Sequence, residues 1–221
     1  MEPVVKPPNR IERRKRRTRA ALITAAQGFI AAGTPHVPIQ DICQAADVGV
    51  GSFYNHFETR DQLFGAAIDE ALDVHGAVLD ALTASIEDPA ERFAFSFRLT
   101  GRMFRRPESR MVLNHGPELI TSERGLAPRA RRDIAVAAES GRFQVDDPKL
   151  AMAVAAGALL GLGQLVQAEP ERDAAQTADR VTQDLLQMFG LPPGEARELC
   201  SRPLVIDGID AAEALGRQLP N

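Results

Sequence analysis

The stretch from Pro38 to Phe57, PIQDICQAADVGVGSFYNHF, constrains this chain more than any other segment. Ile39, Ile42 and Ala46 recur at i, i+3 and i+7, one apolar stripe of a short helix. Asp47-Val48-Gly49 then breaks the pattern. Asp47 accommodates turn geometry, Val48 plugs the space between two helices, and Gly49 supplies backbone freedom. A second short helix is expected from about Val50, with Phe53 and Phe57 one turn apart and packing inward against Ile42 and Ile39. Val50, Gly51, Ser52, Asn55 and His56 are then left facing outward, with Tyr54 on the flank. None is acidic, which suits a surface that meets phosphates.

A helix-turn-helix of this kind reads DNA by inserting its second helix in the major groove, while neutralised phosphates supply most of the affinity. Asn55 can pair bidentately with adenine, Val50 can offer methyls to thymine, and Gly51 lets the backbone approach the groove. Ser52, Tyr54 and His56 can donate to phosphate oxygens, and Arg60, opening the next helix, can clamp the flanking backbone. Upstream, RIERRKRRTR (Arg10 to Arg19) holds seven basic residues and one acid. Arg16 and Arg17 are its candidate phosphate contacts. Phe53, Phe57, Ile39 and Ile42 are core residues that hold the unit and read nothing.

The segment Arg16 to Leu72 resembles the N-terminal domain of TetR-type transcriptional regulators. AALITAAQGFIAAG matches the Ala-rich first helix ending in Gly. IQDICQAADVGVGSFYNHF matches the helix-turn-helix with its Tyr-x-His-Phe-like close, and ETRDQLFGAAIDEAL matches the basic opening of a fourth helix. In that family the positions of Ser52, Tyr54, Asn55, His56 and Arg60 commonly touch DNA. The chain departs from the pattern at Pro38, where a capping Ser or Thr is common, and at Asp47, where Gly is usual. It also departs at Gly49, a frequent Ser, and at Val50, a frequent Lys or other polar residue.

Charge divides the chain. Residues 1–60 carry 9 basic and 5 acidic side chains, a net of +4, and the rest carry 17 and 25, a net of −8. A basic head on an acidic body confines DNA contact to the head. Two cysteines, Cys43 and Cys200, stand far apart and at no metal-like spacing, which fits a reducing, cytoplasmic setting. No apolar stretch follows the N-terminal charges, so no signal peptide is expected. Leu150 to Ala168 is free of charge but rich in Ala and Gly, carries Gln164 and Gln167 and lacks aromatic anchors, so a buried helix rather than a membrane span is expected. The four histidines are scattered, with no nucleophile elbow, phosphate loop or dinucleotide fingerprint. No catalytic residue, metal or cofactor is expected.

The rest reads as helical, with candidate helices over residues 89–106, 109–121, 128–140, 148–168 and 173–189. The expected fold is all-α: a three-helix helix-turn-helix domain followed by a helical ligand-binding and dimerisation domain. The expected boundaries are a flexible basic arm over 1–12, the DNA-binding domain over 13–60, the effector-binding and dimerisation domain over 61–190 and a tail over 191–221. Phe93, Phe97 and Phe104 share one face and are candidate walls of an effector pocket, with Arg98, Met111 and His115 as further candidates. The alternative is that these phenylalanines are core and that Arg98, Arg102 and Arg105, at i, i+4 and i+7, form a solvated face. The last two long helices offer Ala156, Gly157, Leu160, Gly161, Ala178, Val181, Leu185 and Met188. The family resemblance implies that this pair packs against its copy in a homodimer, and that a small-molecule effector alters the spacing of the heads on operator DNA, more commonly as a repressor. The competing reading is a helical interaction adaptor with only sequence-blind DNA attachment.

Overall fold

The computed structural model describes residues 9–34, 36–106, 109, 113, 125–206 and 209–210. The chain divides into two compact units, Met1–Ile68 and Asp69–Asn221.

In the first unit, α1 (Arg10–Ala31) starts on a reciprocal cap. Asn9 Oδ1 accepts from the Glu12 amide at 2.9 Å, and Glu12 Oε2 accepts from the Asn9 amide at 2.9 Å. The basic run is therefore helical from its first residue, where a flexible arm reaching residue 12 had been expected. Arginine and lysine propagate a helix well once a capping box has organised its first turn. Leu22, Ile23, Ala26 and Ile30 form the buried face. The helix ends at Gly33, φ 69°, where the Gly33 amide donates to Ile30 O at 3.0 Å and the Thr34 amide to Phe29 O at 2.9 Å. These are the paired bonds of a Schellman motif.

Helix α2 (Ile39–Ala45) ends the same way without a glycine. Asp47 takes φ 52°, its amide donates to Gln44 O at 3.1 Å, and the Val48 amide donates to Cys43 O at 2.9 Å. The turn stands where the sequence puts it, but the conformational freedom is needed at Asp47 and not at Gly49. Gly49 has extended backbone (φ −73°, ψ 148°) as the N-cap of α3 (Val50–Tyr54). An aspartate tolerates the left-handed region better than most residues yet pays more strain there than glycine. Asp47→Gly is expected to raise the stability of the head by up to about 1 kcal/mol, less the entropy glycine adds to the unfolded chain, whereas Asp47→Val loses about 1–2 kcal/mol. Thermal unfolding followed by circular dichroism checks both.

Helix α4 (Arg60–Leu82) opens with Thr59 Oγ1 accepting from the Gln62 amide at 3.1 Å. Its first turns bury Leu63, Phe64, Ala67 and Ile68. Those side chains carry the first unit on to Ile68, past the boundary expected at Arg60.

The second unit is organised round α5 (Pro89–Arg102), which runs into a 3-10 turn over Met103–Arg105. From Phe93 to Gly101 nearly every side of α5 is buried, the mark of a helix in the middle of its unit. Packed against it are α6 (Ala127–Glu139), α7 (Pro148–Ala168), α8 (Ala174–Met188) and α9 (Pro193–Ser201). Gly101 lets α5 and α8 approach closely: a Cβ there would stand 2.9 Å from Ala178 Cβ and 2.8 Å from Leu162 Cδ2. Phe93, Phe143 and Phe189 stack mutually with ring centroids 5.0–5.8 Å apart. Helix α9, within the segment expected as a tail over 191–221, buries Ala196, Leu199 and Cys200 in this same core, and Leu204 is buried beyond it. Beyond it Val205–Ile206 pairs antiparallel with Ile209–Asp210, two short strands in an otherwise helical set of described residues. The helix expected over 109–121 falls almost wholly outside the described residues.

Candidate DNA-reading surface and effector-binding body

Phe53 sets the geometry of the reading surface. It is wholly buried, its ring 6.0 Å from Phe57 and edge-on to Tyr54 at 5.3 Å. Fixing position 53 inward turns its neighbours outward. Val50 is 40% and Tyr54 58% exposed, unusual for large apolar and aromatic groups on a small domain, while Gly51 and Asn55 are exposed and Ser52 and His56 half-buried. A Cβ at Gly51 would meet nothing within 4 Å, so the bare backbone there faces open space. Asn55 is the C-cap of α3. The helix is thus short, and Asn55 and His56 lie at its end rather than within it. Arg60 lies at the start of α4 and holds Asp61 at 3.2 Å.

The basic run reaches this surface through packing. The Arg19 guanidinium lies 5.2 Å from the centre of the Phe57 ring, while Arg16 and Arg17 are exposed on the same helix. Burial, with the charges of Arg19 and Lys15, pushes the His56 imidazole below its ordinary value. At neutral pH it is uncharged and offers one N–H to an acceptor.

The body treats the candidate pocket residues differently from expectation. Phe93, Phe97 and Phe104 are buried in the packed core rather than lining an open cavity. Arg98 is held: its Nε donates to Asp179 Oδ1 at 2.8 Å and its Nη1 to the carbonyls of Leu199 at 3.3 Å and Arg202 at 2.9 Å. It ties α5, α8 and α9 together. Met111 and His115 lie outside the described residues. On the candidate dimer face, Ala178 and Leu185 are turned into the monomer's own core, which removes them from any surface. Ala156, Leu160 and Val181 are half-buried against that core, whereas Gly157, Gly161 and Met188 are exposed. Leu150, Val154 and Leu165 join them, at 62%, 40% and 38% exposure. On α7 the exposed Leu150, Val154, Gly157, Gly161 and Leu165 fall in a single stripe. This helix is long and apolar enough to cross a membrane by length and composition, with its other face packed in the core.

A polar seam runs between α4 and α6, with partners far apart in sequence. Asp80 accepts from Arg129 Nε and Arg132 Nη2, both at 2.8 Å, and Asp73 accepts from the Gly125 amide at 2.7 Å. Burial opposes the charge on Asp80, but the hydrogen bonds from Arg132 and Arg129 hold its carboxyl below the usual range. One turn earlier, His75 is buried with Nε2 3.0 Å from Thr100 Oγ1. Leu72, His75, Gly76 and Leu79 at helical spacing were the signal: a histidine within an apolar stripe of α4. Burial, with Arg106 and Arg129 nearby, pushes the His75 imidazole down to about 4. Its folded value lies below its unfolded one, so the unfolded state binds the extra proton. The neutral-His contribution is therefore intact above about pH 6.5 and is lost as the pH falls toward 4, by roughly 3 kcal/mol in all. Urea unfolding at pH 7 and pH 4.5 is expected to show this loss, and His75→Gln to flatten it.

Burial also pushes the Cys43 thiol up and the Cys200 thiol up to about 11, so neither is a reactive thiolate at neutral pH. Among the described residues no group of three His, Cys, Asp or Glu is placed to hold a metal ion.

A helix-turn-helix head with a solvent-facing recognition helix, joined to a separate helical body, defines a DNA-binding transcriptional regulator. The family described as "Bacterial regulatory proteins, tetR family" matches residues 22–67, and "Tetracyclin repressor-like, C-terminal domain" matches residues 88–202. The chain belongs to the TetR family of transcriptional regulators. Among solved structures it resembles RolR in complex with resorcinol at 33% identity, covering 88% of this chain and 98% of that one, TM-score 0.75. RolR without ligand matches at 33% identity, 83% and 97% coverage, TM-score 0.72. A TetR-family regulator from Pectobacterium atrosepticum, 19% identical over 82% of this chain and 96% of that one, shares the fold at TM-score 0.62. No curated protein matches the chain.

Proposed function

We propose that this protein is a homodimeric, ligand-responsive repressor, acting in the cytoplasm on a two-fold symmetric operator. The observation that carries the ligand-responsive part is the 33% identity, over nearly the full chain, with RolR, which was solved both with resorcinol and without it. The effector is accordingly a small molecule of that size, taken up by the body. It must bind the two conformations of the protein unequally to release DNA. Helix α4, whose residues belong to both units, is the element through which that preference reaches the head.

The homodimer rests on the stripe of α7. An exposed run of Leu150, Val154, Gly157, Gly161 and Leu165 is costly to leave in water. Neither Gly157 nor Gly161 meets anything within 4 Å of an added Cβ, so nothing inside the monomer requires them to be small. Close approach by a second copy does, with Val181 and Met188 of α8 completing the surface. A two-fold pair of heads then reaches half-sites about one helical turn, roughly 34–36 Å, apart.

Val50, Gly51 and Asn55 read base edges in this proposal. Ser52, Tyr54, His56, Arg60, Arg16 and Arg17 meet phosphates. Selecting duplexes from a random pool against excess competitor tests the reading: a palindromic site is expected, released when the effector is added. No enrichment from a folded sample would leave only sequence-blind attachment. On the selected site, Asn55→Ala is expected to cost about 1–3 kcal/mol and to relax one base position, while leaving random DNA nearly unaffected. Arg16→Ala and Arg17→Ala weaken both DNAs alike and each lower the salt slope by about 1. Fluorescence anisotropy over a salt series separates these patterns.

A further inference from the structure

We infer that His75 is an effector-recognising residue, its Nδ1 accepting a hydrogen bond from a hydroxyl on an uncharged small molecule. This rests on the proposal that the body takes up such a molecule. The tautomer follows from the bonds around it. Thr100 Oγ1 has one proton, and donates it to Ser96 O at 2.8 Å. It can therefore only accept from His75 Nε2, 3.0 Å away, so Nε2 carries the proton and Nδ1 is a bare acceptor. Nδ1 is buried, and no group among the described residues donates to it. The side chain is 5% exposed, so bulk water does not serve it. A buried acceptor without a donor loses most of the value of a hydrogen bond, which makes it rare unless a partner arrives from outside.

The surroundings select the partner. Arg106 and Arg129 both bear on the imidazole and, with burial, hold it neutral far below physiological pH, so it stays an acceptor. The same guanidiniums disfavour a cationic donor such as an ammonium. Arg129 is already engaged by Asp80 and by Gly125 O at 2.7 Å, which leaves little free positive charge for a carboxylate or phosphate. The donor that remains is a neutral hydroxyl, and a phenolic one is the strongest of that kind. Thr100 and Ser96 on α5 fix the ring, so the acceptor is held in place before the ligand comes.

The test uses the full-length protein with resorcinol as the probe and 1,3-dimethoxybenzene as the same ring without a donor. Nitrogen resonances of 15N-histidine-labelled protein report Nδ1 directly. A bare-acceptor shift in the free protein, moving toward a hydrogen-bonded value with resorcinol and not with the diether, is expected. His75→Gln keeps an N–H for Thr100 but has no acceptor at the Nδ1 position, and should bind resorcinol roughly tenfold or more weakly at unchanged helix content. His75→Asn, which can place an oxygen near the Nδ1 position, should recover part of the loss. Binding by His75→Gln equal to the native protein, or an Nδ1 shift that is already hydrogen-bonded in the free protein, overturns the role of His75 and leaves the regulator reading intact. A native protein that binds neither resorcinol nor other simple phenols overturns the phenol-class effector and this inference together.

Discussion

Asp179→Ala is expected to destabilise the body by about 3–5 kcal/mol. Asp179 faces Arg98 and Arg102, with Arg98 Nε at 2.8 Å and Arg102 Nη2 at 3.0 Å. The Arg98 side chain is only 4% exposed, so losing its carboxylate strands a guanidinium in the core with carbonyls alone to hold it. Arg98→Met should cost less, because Asp179 keeps Arg102 and is itself 28% exposed. The double variant should be more stable than Asp179→Ala alone, since the stranded charge is gone. Urea unfolding of the four proteins checks the order. Equal losses for the two single variants would show that the ion pair, and not the stranded charge, sets the cost. The helix ends tied by Arg98 belong to α9, so limited proteolysis near Arg202 should rise with the stability loss.

Phe53→Ala is expected to abolish operator binding while the body stays folded. The ring is fully buried beside Phe57 and Tyr54, and its removal costs about 3–5 kcal/mol by transfer and cavity terms. A unit that ends at Ile68 has a small core and little stability to spare. Its loss should appear as a separate, earlier melting step, with helix signal from the second unit retained. Tyr54→Phe is the control: it keeps the edge-on ring contact and removes only the hydroxyl. It should melt like the native protein and lose only the affinity carried by one phosphate contact. If Phe53→Ala still bound the operator, the aromatic pair would not be what presents the recognition helix.

The head was legible because its signals are local. The apolar spacing of Ile42, Phe53 and Phe57, the turn over Asp47 and Val48, and the basic run are all set by neighbours within a turn or two. The sequence assigns turn geometry to Asp47 and backbone freedom to Gly49, and the end of α2 uses the left-handed conformation at Asp47 alone. Glycine marks where freedom is available, and only the hydrogen bonds at a helix end show where it is used. Helix α1 begins earlier than a dense run of arginines suggests, because Asn9 and Glu12 form a cap, visible in the sequence as Asn-x-x-Glu. The class of protein, its helical make-up and the outward set from Val50 to His56 were thus determined by the sequence itself.

The tertiary structure decided what faces what in the body. Phe93, Phe97 and Phe104 share a face that suits either a pocket wall or a core, and periodicity cannot tell these apart. Phe93 stacks on Phe143 and Phe189, which lie far away in sequence, and Phe93, Phe97 and Phe104 are all buried in one core cluster. Arg98 looked like one member of an arginine face until Asp179 and the carbonyls of α9 claimed it. Ala178 and Leu185 could not be sorted from Met188 by composition, because each helix of a packed body has apolar residues on more than one side. His75 stands in an apolar stripe that the spacing of α4 shows, but its polar surroundings do not follow from that spacing: Thr100 and Arg129 are brought to it by other helices. Short-range spacing encodes the elements. Which apolar face is core, which is surface and which buried polar atom lacks a partner are long-range facts, fixed only when the helices meet.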